Sequence, residues 1–218
     1  MTTSRRWTIR LTELYLGLVL YGVSMALMLQ SDLGNMPWDV FHQGISGTFG
    51  GSIGVVSIVV GVIVLLLWIP LRVRPGIGTI SNVIVIGVAV DLGLALIETP
   101  SAMWLRVTMA ATGILLNAVA TAAYVGAGLG PGPRDGLMTG LHDRTGWSIR
   151  LVRTGIEVSV VLIGVLLGGT LGIATVAYAV AIGPLVQPML PWFAKVSAPR
   201  SAVIVEPARP TEVAPAPA

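Results

Sequence analysis

The sequence predicts an all-α membrane protein of about six transmembrane helices, arranged as two inverted three-helix repeats that each carry a short interfacial or reentrant helix. Three observations predict it. Hydrophobic residues make up 54% of the 218 and charged residues only 11%, far below the roughly 25% charge of a soluble domain. Apolar stretches near the ~20 residues needed to cross hydrocarbon follow one another along the chain. Polar landmarks recur without a gap at an offset of 96 residues.

The first span is expected over 9–30, the second over 53–71 without a charge, and the third over 78–97 with Asp91 inside. The fourth covers 105–127. The long apolar run after Val158 is split at the Gly168, Gly169, Gly172 cluster, a turn signal, into a fifth span over 149–168 and a sixth over 171–192. Residues 1–8 form a cytoplasmic N-terminus whose Ser4-Arg5-Arg6-Trp7 is a basic flank of the first span, since the apolar run after it is long for a signal core. Residues 197–218, with Pro199, Pro207, Pro210, Pro215 and Pro217, form a disordered cytoplasmic tail. With both termini inside, twelve of the 13 Lys and Arg fall on the cytoplasmic side and only Arg106 falls outside. That is the positive-inside pattern. The net charge of +3 is therefore a topology signal, and nucleic acid is not an expected partner.

The repeat units are 9–97 and 105–193. Leu33-Gly34, Pro37 and Asp39 lie over Leu129-Gly130, Pro133 and Asp135; Gly50 and Ser52-Ile53 over Gly146 and Ser148-Ile149; Gly76-Ile77 and Thr79 over Gly172-Ile173 and Thr175; Arg10 and Thr12 over Arg106 and Thr108. Matched Gly, Pro, Asp and Thr are not explained by shared hydrophobicity. Three spans per unit turn the second copy upside down, which implies a pseudo-twofold axis in the membrane plane. Between the first and second spans of each unit, Pro at the first helical position and Asp in the first turn predict short helices over 37–47 and 133–143. Apolar Trp38, Phe41, Ile45 and Phe49 place the first at the interface or dipping into the membrane, and both placements stay open.

Arg10-Leu11, Leu33-Gly34 with Pro37-Trp38-Asp39, Gly76-x-Gly78-Thr79-Ile80-x-Asn82, Gly132-Pro133-Arg134-Asp135-x-Leu137-Met138, Arg153 with Glu157, and Gly168-Gly169-x-x-Gly172 together resemble the YczE-like integral membrane proteins, grouped with YyaS and YitT. The resemblance covers about residues 9–190. It implies a bacterial plasma-membrane protein and supplies no substrate. Ala174, where the first unit has Gly78, departs from the repeat in packing rather than in chemistry.

No catalytic pattern is present. Cysteine is absent, and the Gly126–Gly136 stretch lacks dinucleotide spacing and loses amide donors at Pro131 and Pro133. His42 and His142 are not repeat mates and read as interfacial polar residues; Met25, Met28, Met103 and Met109 read as packing. Asp39 and Asp135 are either first-turn carboxylates that stabilise short helices or mark two helix starts at the mouths of a pathway, one on each side. Arg134, mated with apolar Trp38, makes the cytoplasmic mouth basic or simply fixes topology. Glu157 and Asp91 are more informative, because their mates Gly61 and Gln187 are uncharged. By helical rise Glu157 lies about 12 Å into the fifth span and Asp91 roughly 20 Å from the cytoplasmic end of the third. Carboxylates at such depth mark a pathway or a pairing inside the bundle; Arg153, one turn from Glu157, is the structural partner in the second case. Asn82 and Asn117 suit interhelical hydrogen bonds.

The expected function is a small-solute secondary transporter or permease, with Glu157, Arg153, Asp91, Asp39, Asp135, Arg134 and Asn82 as pathway residues. The alternative is a non-transporting accessory or scaffold protein for a membrane partner complex. No enzyme activity, cofactor or metal is expected. The expected partners are the lipid bilayer, a small solute, and a second copy or another membrane protein.

Overall fold

The computed structural model describes residues 3–197. Eight α-helices and no strand occur among the described residues: α1 (Thr3–Ser31), α2 (Pro37–Phe49), α3 (Ile53–Leu71), α4 (Ile77–Leu96), α5 (Met103–Gly126), α6 (Pro133–Thr145), α7 (Ile149–Leu166) and α8 (Ile173–Ser197). Local chemistry sets their ends. Pro37 and Pro133 occupy first-turn positions of α2 and α6, where the missing N–H costs nothing. Ser52 and Ser148 cap α3 and α7, accepting from the amides of Val55 and Leu151. Gly50 and Gly146, at φ of +83° and +73°, end the short helices two residues later than the sequence predicts. α1 begins well before residue 9, and α8 starts two residues late because Gly172 precedes its first turn; it then continues through Pro184, Pro188 and Pro191 to Ser197. The expected tail beyond Ser197 lies outside the described residues.

Helices α1, α4, α5 and α8 pack together, and α2, α3, α6 and α7 form a second group joined to the first mainly through α3 and α4. The first is built around Leu14, Leu18, Met25, Met28 and Ile114; the second around Trp38, Val56, Val60, Trp68, Leu137 and Val160. Met25 and Met28 are fully buried, whereas Met103 is exposed on the outer face. Large apolar side chains, among them Leu66, Ile69, Leu92, Leu96, Leu162 and Leu166, cover the outside. A surface of this kind suits lipid rather than water. Among the described residues five helices are long and apolar enough to cross a membrane: Ser4–Ser31, Ile53–Leu71, Ile77–Leu96, Met103–Gly126 and Ile173–Ala194. The expected fifth span, α7, is 18 residues long and carries Arg150, Arg153 and Glu157. The protein is a helical membrane protein.

Contacts between the halves recur reciprocally at the 96-residue offset. Arg10 donates through Nε and Nη2 to the carbonyls of Ala127 and Gly128, both at 2.7 Å. Arg106 donates in the same way to Ser31 (2.7 Å) and Asp32 (3.2 Å) and also pairs with the Asp32 carboxylate. The Gly78 amide bonds the Leu129 carbonyl at 2.9 Å, and the Ala174 amide bonds the Leu33 carbonyl at 3.0 Å. Gly34 (φ +114°) and Gly130 (φ +127°) sit at the corners between these bonds, and a Cβ on Gly34 would meet the Gly172 amide at 2.6 Å. Only glycine fits that corner.

Candidate functional site

The site forms where α2 and α6 begin. Proline at each start fixes the entry angle and leaves the first turn free to carry Asp39 in one half and Asp135 in the other. The two starts meet. The Arg134 guanidinium lies over the Trp38 ring, 4.8 Å from its centroid, which is cation–π distance. Its Nη2 is 3.9 Å from Asp39 Oδ1, too far for a hydrogen bond. Arg134 and Trp38 are repeat mates, so the pair brings corresponding positions of the two units face to face. Asp39 and Asp135, which the sequence reads either as first-turn carboxylates or as marks of two pathway mouths, lie in the first turns of α2 and α6, whose starts meet at the Arg134–Trp38 contact.

Two cavities open on this cluster and share Tyr21, Trp38, Tyr124, Arg134 and Asp135 in their walls. The larger, about 300 Å³, adds Arg153, Glu157, Tyr178 and Gln187. The smaller, about 80 Å³, adds His42, Ser57 and Asn82. Repeat mates line them with different chemistry: Glu157 of the larger stands where the smaller has Gly61, Arg153 where it has Ser57, Tyr178 where it has Asn82. At these positions, 96 residues apart, the two cavities differ in what they offer a ligand.

Arg153 Nε donates to Glu157 Oε1 at 2.9 Å along one face of α7, so the ion pair foreseen from their spacing forms. Glu157 keeps 29% of its side-chain exposure and Arg153 57%, which leaves both open to the cavity. Asp135 is also exposed there and accepts from the Tyr124 hydroxyl at 3.3 Å. Asn82 is half-buried in the wall of the smaller cavity. Asn117 makes the interhelical bonds expected of it, donating to Ser24 Oγ at 2.9 Å and accepting from the Tyr178 hydroxyl at 3.0 Å. Asp91 is the exception. It lines neither cavity and accepts from Ser52 Oγ (2.5 Å) and the Gly54 amide (2.8 Å) at the start of α3. Its mate Gln187 is the one that reaches the larger cavity.

His42 is not interfacial as the sequence suggested. It is 1% exposed, with Nδ1 3.5 Å from Asp39 Oδ1, and neither residue has a hydrogen-bond partner for its polar side-chain atoms. Burial follows from α2 packing inside the bundle against α7 and α3. The Asp39-x-x-His42 spacing, which places both on one helix face, was the signal available in the sequence. The tyrosines were also missed: Tyr21, Tyr124 and Tyr178 all face the larger cavity, and a phenol within a span is itself a sign of a polar partner inside. Among the described residues no three His, Asp or Glu cluster as metal ligands would.

This arrangement belongs to a wider set of proteins. The model of the family of unknown function DUF6198 matches residues 8–191. The chain belongs to this family. An uncharacterized protein of Haemophilus influenzae is 40% identical over 184 residues, 83% of this chain and 84% of its own. The uncharacterized membrane protein YczE of Bacillus subtilis is 31% identical, covering 84% of this chain and 86% of its own. The uncharacterized protein YyaS of the same organism is 23% identical, covering 81% and 90%. The YczE-like resemblance seen in the motifs is thus confirmed for this DUF6198 chain. No solved structure matches it.

Proposed function

We propose that this DUF6198 protein is a small-solute transporter of the plasma membrane, built of six spans in two inverted units with both termini cytoplasmic. The observation that carries the reading is the charged, accessible cavity enclosed between the two units of an otherwise apolar bundle. Groups such as Arg134, Asp135, Arg153 and Glu157 are costly within a bilayer and are kept there where they line a polar path.

The reciprocal contacts support the inverted arrangement. A contact from residue i to residue j of the other half, matched by one from the mate of i to the mate of j, is the mark of a twofold relation. Arg10 and Ser31, which bond residues at opposite ends of α5, are 21 residues apart on α1, roughly 31 Å of helix and about one hydrocarbon thickness. Short segments from both ends nevertheless bring Asp39 and Arg134 to within 3.9 Å. That supports reentrant rather than interfacial short helices. For α7, 18 residues make roughly 27 Å, and its charged pair faces the cavity while Val158 and Leu162 face outward.

The accessory-protein reading draws on a different feature, an apolar cleft of about 480 Å³ between α3 and α7 that includes Phe41, Leu67, Trp147 and Leu151. Purified protein in proteoliposomes, tested for uptake of radiolabelled amino acids, carboxylic acids and sugars, separates the two. Uptake of at least one class, lost in Arg134→Gln while the variant still inserts, is expected. A monodisperse wild-type protein that moves none of them would give the lead to the accessory role.

A further inference from the structure

We infer that Asp39 and His42 form a proton-binding site, and that the proton and Arg134 compete for the same carboxylate. The inference stands on burial and geometry; its link to solute movement rests on the transport reading above.

Asp39 and His42 are each 1% exposed and sit one turn apart on α2. Both carboxylate oxygens and both ring nitrogens lack hydrogen-bond partners. A buried carboxylate cannot be left charged and alone: it needs a proton or a cation. Asp39 Oδ1 has both within reach and neither in contact, the imidazole Nδ1 at 3.5 Å and the guanidinium Nη2 at 3.9 Å. Two states follow. With no proton on the pair, Asp39 is an anion and draws Arg134 towards it. With one proton taken up from the cavity, an O–H or N–H bond forms on the pair, Asp39 and His42 share it, and Arg134 is free to turn to a solute. No other covalent bond changes. The 80 Å³ cavity that His42 lines is large enough to admit water as the proton's route.

The second unit shows that the backbone does not require this pair. The mate of His42 is Met138, and the mate of Asp39, Asp135, is exposed to the cavity with Tyr124 as its partner. The other titratable or charged groups around the site are Arg134 and Asp135 on α6, Tyr21 on α1, Tyr124 on α5, Tyr178 on α8, and Arg153 with Glu157 on α7. The wall contributed by α3 brings only Ser57 among polar side chains.

The test is nitrogen NMR of the imidazole ring in the full chain, held in nanodiscs and carrying His142→Gln so that only His42 is observed. The His42 ring signals should move from the neutral to the protonated pattern as the sample is taken from alkaline to acid pH. Asp39→Asn removes an anion beside the ring and should lower the midpoint by about one unit or more; Arg134→Gln removes a cation and should raise it by a similar amount. Should Asp39→Asn fail to insert, the Arg134→Gln shift alone decides. A ring that does not titrate, or a midpoint that neither substitution moves, overturns the proposal. Titration with the expected shifts but no uptake of any solute would leave the proton site standing and defeat the transport reading instead.

Discussion

Glu157 and Arg153 illustrate what a single side chain is worth here. Their pair lies open to the cavity, so by analogy with accessible i,i+4 pairs it stabilises the fold by less than about 1 kcal/mol. Glu157→Gln should therefore shift the thermal midpoint little while abolishing solute uptake in proteoliposomes. A large fall in stability, partly recovered by adding Arg153→Gln, would instead make the pair structural. Asp91 predicts the opposite. Its carboxylate satisfies Ser52 and the Gly54 amide at the start of α3, so Asp91→Ala should cost about 1–3 kcal/mol and leave the uptake rate per folded molecule unchanged; selective loss of uptake would contradict that assignment. The contrast shows what a linear sequence reveals at this scale. The partner of Glu157 is one turn away and could be read from spacing. The partners of Asp91 lie 37 and 39 residues away and exist only once α3 has docked on α4, so depth alone gave the same reading to both carboxylates.

Between elements, the contacts of α2 with α7 and of α6 with α3 solve one packing problem in two ways. In one, Gly164 of α7 lets the backbone of α2 approach, and a Cβ there would lie 2.6 Å from the Phe41 amide. In the other the small residue is on the short helix: Gly136 of α6 receives the Trp68 ring, whose indole N–H donates to the Pro133 carbonyl at 3.0 Å. Gly164→Ala should push α2 away from α7 and lower stability by about 1–3 kcal/mol, as overpacking does, measured as loss of the monodisperse fraction on heating. Unchanged thermal behaviour would mean that the contact is looser than the structure shows. Element boundaries were largely legible, since Pro37, Pro133, Ser52, Ser148, Gly50 and Gly146 punctuate the chain by local chemistry. Which glycine receives which neighbour was not, because that depends on surfaces that meet only in three dimensions.

For the whole molecule, the six-span arrangement predicts that reporters fused after Thr48, Thr99 and Thr170 lie outside and those after Arg74, His142 and Ala194 inside; a cytoplasmic signal at Thr99 would break it. The matched Gly, Pro, Asp and Thr positions were legible in the sequence, whereas the meeting of the two short helices was not, since no residue pattern states which helix starts come into contact. The reciprocal arginine clamps also bear on how the protein is made. Arg10 bonds the carbonyls of Ala127 and Gly128, and Arg106 reaches back to Ser31 and Asp32, so neither clamp closes until α5 has been synthesised. At about 5–20 residues per second, α1 waits for roughly 6–23 seconds after Arg10 is translated before this clamp can close. During that interval the nascent chain depends on the insertion machinery or on passing lipid headgroups to hold the first helix in place, and a ribosome stalled before α5 should leave α1 exposed to membrane quality-control proteases.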